Sequence, residues 1–253
     1  MRTQKLTNLS LLFIALLAAP AGACLGSDYP AAEGGVVASA PAWEDAEGFG
    51  TFIFYKVRPD FRDCLYPLCG GAFVKALNRR FTICADGSLQ SECYVAVEDY
   101  TGLRLDPETL ARFRQALYSD RAIVRGAILP REFEGFGNLG ELRADEGWIA
   151  LVDAPPLGTF WRLRGPEFEC VTDPCFNIRA GRLNSGRATH ASGVDFASVP
   201  GATPKLIELA LRAMYTGALI ATGENRVYDE GPGGVTFEAS QLYLRIASAA
   251  PRD

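Results

Sequence analysis

The sequence predicts an α+β fold: two tandem βββαββ-like repeats, mostly antiparallel sheet, with disulfide-pinned loops. Three observations carry this. The stretch 54–87 recurs at 160–193 with a constant offset of 106. Each copy holds only one helical apolar stripe. Cysteines of the two copies fall in the same register. Neighbouring parallel strands need a crossover, usually a helix, and one helix per copy is too few for a parallel α/β sheet.

Residues 1–23 read as a secretory signal peptide. Arg2 and Lys5 give a positive start, Leu9 to Ala18 is a short apolar run, and Ala21-Gly22-Ala23 offers small residues for cleavage. Cys24 follows directly, as in a bacterial lipobox, where the thiol is acylated before cleavage. Ala21 stands where that pattern usually has Leu, and an ordinary A-x-A site would leave Cys24 as a terminal thiol. Cleavage removes two cations and no acid, moving the net charge from −5 to −7. Residues 24–48, rich in Ala, Gly, Pro and acids, read as a solvated tether.

Residues 49–152 form repeat 1. Its strands are expected near 51–58, 71–78, 93–99, 121–128 and 140–151, where β-branched and aromatic residues sit between turn residues. Asp106-Pro107 starts its helix, a capping residue followed by proline at the first helical position. Leu110, Phe113 and Leu117 make one apolar stripe.

Residues 153–247 form repeat 2. Phe160, Trp161, Cys170, Cys175, Leu183 and Asn184 answer Phe54, Tyr55, Cys64, Cys69, Leu77 and Asn78. The register then slips by about ten residues, as a deletion would cause, and resumes. Thr203-Pro204 answers Asp106-Pro107, Gly223 answers Gly126, and Phe237, Ala239 and Tyr243 answer Leu142, Ala144 and Trp148. The sequence leaves open whether the copies form two domains or one pseudo-symmetric body.

The chain has seven cysteines. Six remain after Cys24, and the repeat prunes their pairings. Cys64–Cys69 and Cys170–Cys175 can close locally in both copies. Cys84 and Cys93 are missing together from copy two, as a bonded pair should be. The expected disulfides are therefore Cys64–Cys69, Cys84–Cys93 and Cys170–Cys175, each worth roughly 2 kcal/mol by chain entropy. Four thiolates on zinc are the rival, but C-x4-C spacing is untypical and copy two lacks the second pair. No metal and no cofactor is expected.

Composition and motifs limit the function. Hydrophobic residues make up 48% and charged residues 22%, which excludes a disordered chain. The acidic balance argues against nucleic-acid binding. His190 is the single histidine, and it sits in a polar stretch with no nucleophile motif around it. No catalytic residue is assigned. Among the carboxylates, Asp60 and Asp63 flank Cys64, where copy two has Pro166 and Glu169, so they read as solvated loop charges. Arg58 and Arg164 suggest a repeated salt bridge, with anion binding as the alternative, and Asn78 and Asn184 strand ends that bond a neighbouring turn. The connections 129–139 and 224–234, with Phe133, Phe136 and Tyr228, are the expected binding loops.

The strings CLYPLCGGAFVKALN, CADG, ECYVAVED and DPCFNIRAGRLNS resemble an uncharacterised family of exported bacterial proteins that often look like lipoproteins. Its C-x-x-P-x-C-G-G-x-x-V-x-x-x-N signature here spans Cys64, Pro67, Cys69, Gly70, Gly71, Val74 and Asn78. The likeness covers roughly residues 50–246 and implies location and construction but no activity. The expected function is an exported, envelope-anchored, non-catalytic binding or scaffolding module. It would sit at the outer membrane or in the periplasm by a lipid anchor at Cys24, or be secreted. Its partner would be an unidentified protein or envelope ligand, with the membrane touched only through the anchor. A secreted enzyme inhibitor and a carboxylate-based hydrolase are the alternatives.

Overall fold

A computed structural model describes residues 51–171, 173–228 and 234–246, all of them within one compact unit. The first half runs β1 (Ile53–Pro59), β2 (Ala72–Ala76), β3 (Thr82–Ile83), β4 (Leu89–Gln90), β5 (Cys93–Val95) and β6 (Val97–Asp99). It continues through α1 (Pro107–Tyr118), β7 (Ala122–Leu129), β8 (Glu132–Phe133), β9 (Gly137–Asn138) and β10 (Glu141–Ala150). The second half runs β11 (Thr159–Arg164), β12 (Ile178–Arg182), β13 (Ala188–Ala191), β14 (Gly193–Asp195), α2 (Pro204–Tyr215), β15 (Leu219–Tyr228) and β16 (Gly234–Arg245).

Both helices begin where the capping signals stand. Asp106 accepts hydrogen bonds from the Glu108 and Thr109 amides, and Thr203 accepts from Leu206 N, with proline next in each case. Phe113 and Leu117 of α1, and Ala210 and Met214 of α2, face the sheet and are buried.

Twelve strands form a single sheet, ordered β13-β12-β11-β15-β16-β10-β7-β1-β2-β5, with β6 added on β10 and β14 on β16. These two added pairs are parallel and the rest are antiparallel. This corrects the expected fold class: the protein is mostly antiparallel β, and not an α+β pair of βββαββ units. Two physical reasons account for the difference. The last strands of the two halves pair with each other, Trp148↔Arg245, Ile149↔Leu244 and Ala150↔Tyr243, so the halves merge into one ladder. The first half also carries the short hairpins β3-β4 and β8-β9, and the expected strand near 93–99 breaks into β5 and β6.

The sheet bends round on itself. Strands β1 and β11 lie five ladder steps apart, which would be about 24 Å in a flat sheet. Yet the Asn184 side chain bonds β1 directly: its Oδ1 accepts from Phe54 N at 2.8 Å, and its Nδ2 donates to Phe54 O at 2.8 Å and to Leu77 O at 3.0 Å. Asn78 does the same to β11, accepting from Phe160 N at 2.9 Å and donating to Phe160 O at 2.8 Å and Leu183 O at 3.0 Å. Each amide thus stands in for a missing strand partner. Both asparagines adopt left-handed backbone, φ 57° and 56°, which asparagine tolerates better than most residues. The sequence places them at strand ends that bond a neighbouring turn, and the bonds run to the other half.

Side chains alternate along each strand, so the bend gives the sheet an inner and an outer face. The inner face holds one shared cluster from both halves: Phe54, Ile123 and Trp148 with Phe160, Ile220 and Tyr243. Phe54 meets Trp148 edge-on, ring centres 6.3 Å apart, and Phe160 lies 5.9 Å from Tyr243. On the outer face, Tyr55, Val57 and Val124 pack with α1, and Leu163, Leu219 and Leu242 pack with α2. A fully buried side chain of this size contributes about 1.5–3 kcal/mol. Gly126 and Gly223 sit at matching irregularities of the β7-β10 and β15-β16 ladders. A Cβ at either would strike a carbonyl oxygen of the partner strand, Arg143 O at 2.5 Å or Glu238 O at 2.0 Å.

Candidate functional site

The cysteines pair as Cys64–Cys69, Cys84–Cys93 and Cys170–Cys175, with Cα separations of 5.5, 5.3 and 5.7 Å. The sulfurs that a zinc site would need are therefore committed to one another. Such pairs persist in oxidising compartments, so the protein suits a periplasmic or extracellular setting. No described helix is long and apolar enough to cross a membrane. Cys24 and the segment 1–48 lie outside the described residues.

The expected binding loops lie apart. β10 and β16 pair antiparallel only through their last residues, which sends the β7-β10 and β15-β16 connections to opposite ends of the sheet. Phe133 packs edge-on against Tyr66 of the Cys64–Cys69 loop, ring centres 5.9 Å apart, and Phe136 is exposed. Tyr228, also exposed, donates to the Glu238 carboxylate, which raises its phenol above the usual value. Residues 229–233 of the second loop lie outside the described residues.

The remaining sequence candidates are mostly structural. Asp60 has a fully enclosed side chain and is held by the Arg62 guanidinium, with Nε at 2.9 Å and Nη2 at 2.9 Å. That fork holds its carboxyl below the ordinary range. Arg62 also donates to Leu68 O at 2.8 Å, tying the disulfide loop down. Asp63, Pro166 and Glu169 are exposed. Arg58 pairs with Glu92, whereas Arg164 lies along Gly217, so the salt bridge is not repeated. His190 is exposed on β13, the last strand at one edge of the sheet.

One concavity has no motif in the sequence to announce it. A cleft opens beside the Asn184 side chain and its bonds to β1. Its apolar lining is Phe52, Ile53, Phe54 and Leu183. Its polar lining among the described residues includes six arginines: Arg79, Arg125, Arg162, Arg179, Arg182 and Arg187. They arrive from the turn after β2, from β7, from β11, and from β12 with the turn beyond it.

Several heads are held by backbone carbonyls. Arg79 donates to Asn184 O through Nε at 3.1 Å and Nη2 at 2.9 Å. Arg182 donates to Asn78 O at 3.3 Å, while its buried Nε meets no acceptor. Arg162 donates to Gly217 O at 3.1 Å and lies over the Trp148 ring, 5.4 Å from its centre. Burial lowers the Arg162 guanidinium from its ordinary value; Glu146 opposes this, and the nearby Arg164, Arg245 and Arg125 add to it. Arg125 is neutralised by Asp145 at 2.9 Å and Glu146 at 3.1 Å. Burial raises the Asp145 carboxyl, although Arg125 pulls it down.

Chemically the cleft can hold an anion. Guanidiniums stay charged at any physiological pH and present donors in a fixed fork.

No curated protein and no solved structure matches the chain. A family model described as "Domain of unknown function (DUF6748)" matches residues 53–249, which includes Asn78, Asn184, all three disulfides and the six arginines of the cleft. The chain belongs to that family.

Proposed function

We propose that the protein is an exported, non-catalytic binding module that presents the arginine cleft to an anionic ligand. The observation that carries this reading is the cleft itself, where Arg162 and Arg182, held by backbone carbonyls beside an apolar floor, form no ion pair among the described residues. Export is supported by the three disulfides and by the signal-like segment 1–23. In this reading Cys24 is acylated and anchors the body to the envelope through the tether 24–48, as in the exported bacterial lipoproteins that the C-x-x-P-x-C-G-G signature resembles. The ligand would come from the envelope or the surrounding medium. The body would be two copies of one unit, 49–152 and 153–247, joined about the paired asparagines.

Two measurements test this. Growth with a labelled fatty acid should mark the wild type and not Cys24→Ser; equal labelling would remove the anchor. Titration of the purified body with heparin, a general polyanion, should give saturable binding that salt weakens and that Arg162→Gln and Arg182→Gln reduce. Binding unchanged in both variants would remove the cleft from the function.

A secreted inhibitor is a second reading, favoured by one observation. The loop around Cys64–Cys69 exposes Phe61 at 88% and Leu65 at 84%, together with Tyr66 and Leu68. Rigid apolar loops of this kind can fill an enzyme cleft at low entropic cost. Loss of inhibition across a hydrolase panel on Phe61→Ser and Leu65→Ser would support it; a panel with no inhibition would set it aside.

A further inference from the structure

We propose that the protein is two-headed: Leu65 and Val171, at the tips of the Cys64–Cys69 and Cys170–Cys175 loops, each enter the small apolar specificity pocket of a cationic peptidase, one enzyme at each end of the body. This deepens the secreted-inhibitor reading and rests on it.

The repeat marks the two tips. By the 106-residue offset, Leu65 answers Val171, the residue directly after the first cysteine of each loop. The other three positions between the cysteines change type: Tyr66, Pro67 and Leu68 answer Thr172, Asp173 and Pro174. Leu65 is almost fully exposed and Val171 completely so. Neither joins a core cluster, so folding does not ask for an aliphatic side chain there. One exposed aliphatic residue needs no explanation. The same position kept aliphatic and exposed in both copies, while its neighbours diverge, is the mark of a contact made outside the chain.

Each tip stands on a held loop. In the first, Arg62 ties Asp60 to Leu68 O, and Tyr94 donates to Pro67 O at 2.8 Å. In the second, Glu167 N donates to Asn177 O at 3.0 Å, and the Asn177 amide donates to Phe168 O at 3.2 Å. Loops ordered in advance lose little freedom on docking. A convex tip needs a concave partner, and preformed apolar pockets are characteristic of ligand and substrate sites. A branched aliphatic side chain suits the small pocket of elastase-type enzymes.

Charge selects the partner further. Asp63 beside Leu65 is exposed, as are Glu132 and Glu134 on the hairpin that meets Tyr66 through Phe133. Glu167, Glu169 and Asp173 are exposed around Val171. None of these carboxylates is in an ion pair among the described residues, and Arg62 and Arg131 are held by Asp60 and Glu141. Both heads thus carry an aliphatic tip among unmatched acids, which complements a cationic rim. A second copy would set acid against acid, and an anionic membrane would repel both heads.

Topology gives the number of partners. β1 and β11 both start at the seam, where Asn184 and Asn78 bond Phe54 and Phe160. Five antiparallel pairings separate the two strands, so they run in opposite senses. Their loops therefore lie at the two ends of the body, each about 20 Å from the seam by strand rise.

The test is inhibition of neutrophil elastase by the purified body, with enzyme molecules bound per body counted by light scattering. Trypsin, whose pocket holds an aspartate, is the contrast. Elastase is expected to be inhibited, with two bound per body, and trypsin is not. Leu65→Ser and Val171→Ser, at exposed positions that leave the fold intact, should each lower the number from two to one. The double variant should abolish inhibition. One elastase per body, lost in Leu65→Ser and kept in Val171→Ser, would overturn the second head and leave a one-loop inhibitor. Trypsin inhibited as strongly as elastase, or elastase untouched while another hydrolase of the panel is inhibited, would overturn the pocket assignment and leave the inhibitor reading. No inhibition of any hydrolase would overturn both together.

Discussion

Replacing Asn184 with alanine should open the seam between β1 and β11, and the cost can be worked from its bonds. The substitution leaves Phe54 N, on a buried residue, without the acceptor it has at 2.8 Å. A buried donor left unmet costs about 1–3 kcal/mol. It also removes the donors to Phe54 O and Leu77 O. Phe54 O keeps the Leu77 amide at 3.0 Å, so these two losses sit nearer 0.5–1 kcal/mol each by the usual range. Alanine at φ 56° adds roughly 1 kcal/mol that asparagine largely avoids. The sum is about 3–6 kcal/mol, a large share of the stability of an ordinary domain. Asn184→Gly removes the same bonds without the backbone penalty and should be about 1 kcal/mol milder. Urea unfolding followed by tryptophan fluorescence measures both. Loss below about 1 kcal/mol in Asn184→Ala, or glycine worse than alanine, would refute the reasoning that the asparagine closes the sheet.

Other perturbations have equally definite outcomes. Gly223→Ala should lower stability by more than 3 kcal/mol in urea melts or prevent folding, because its Cβ would lie 2.0 Å from Glu238 O at φ 152°. Serine at Cys64 and Cys69 should cost about 2 kcal/mol, and at Cys84 and Cys93 slightly more, since the chain separations are 5 and 9. Arg62 holds the Asp60 carboxyl below its unfolded value of about 3.9, so this contribution is present above that pH and disappears as pH falls through the lower folded value. Wild-type stability should therefore fall more steeply than that of Asp60→Asn below pH about 4; parallel pH profiles would contradict this.

Local features were legible in the sequence because local chemistry makes them. Asp106-Pro107 and Thr203-Pro204 start helices through bonds to amides two or three residues on. The cysteine pairs close over short loops, and the shared register of 64–69 with 170–175 identified them. What escaped was long-range. Pairing of 148–150 with 243–245 leaves no periodic trace, and counting one helix per copy led to the wrong fold class. Residues 78 and 184 repeat as a Leu-Asn pair in fixed register, a signal that an exchanged contact was present, but the partner could not be read from either copy alone. The cleft draws arginines from 79 to 187, too scattered for any motif. Composition carried the hint: 21 of the 25 cations are arginine, the residue suited to oriented anion contacts.

The central claim is that the cleft beside Asn184 is a working anion site. Proton–nitrogen correlation of the arginine side-chain Nε–H groups during titration with heparin tests it most directly. Saturable shifts of Arg182 and Arg162, with Arg58 and Arg212 at other surfaces unmoved, are the predicted result. Unmoved Arg182 and Arg162, or equal small shifts of every arginine, would contradict it.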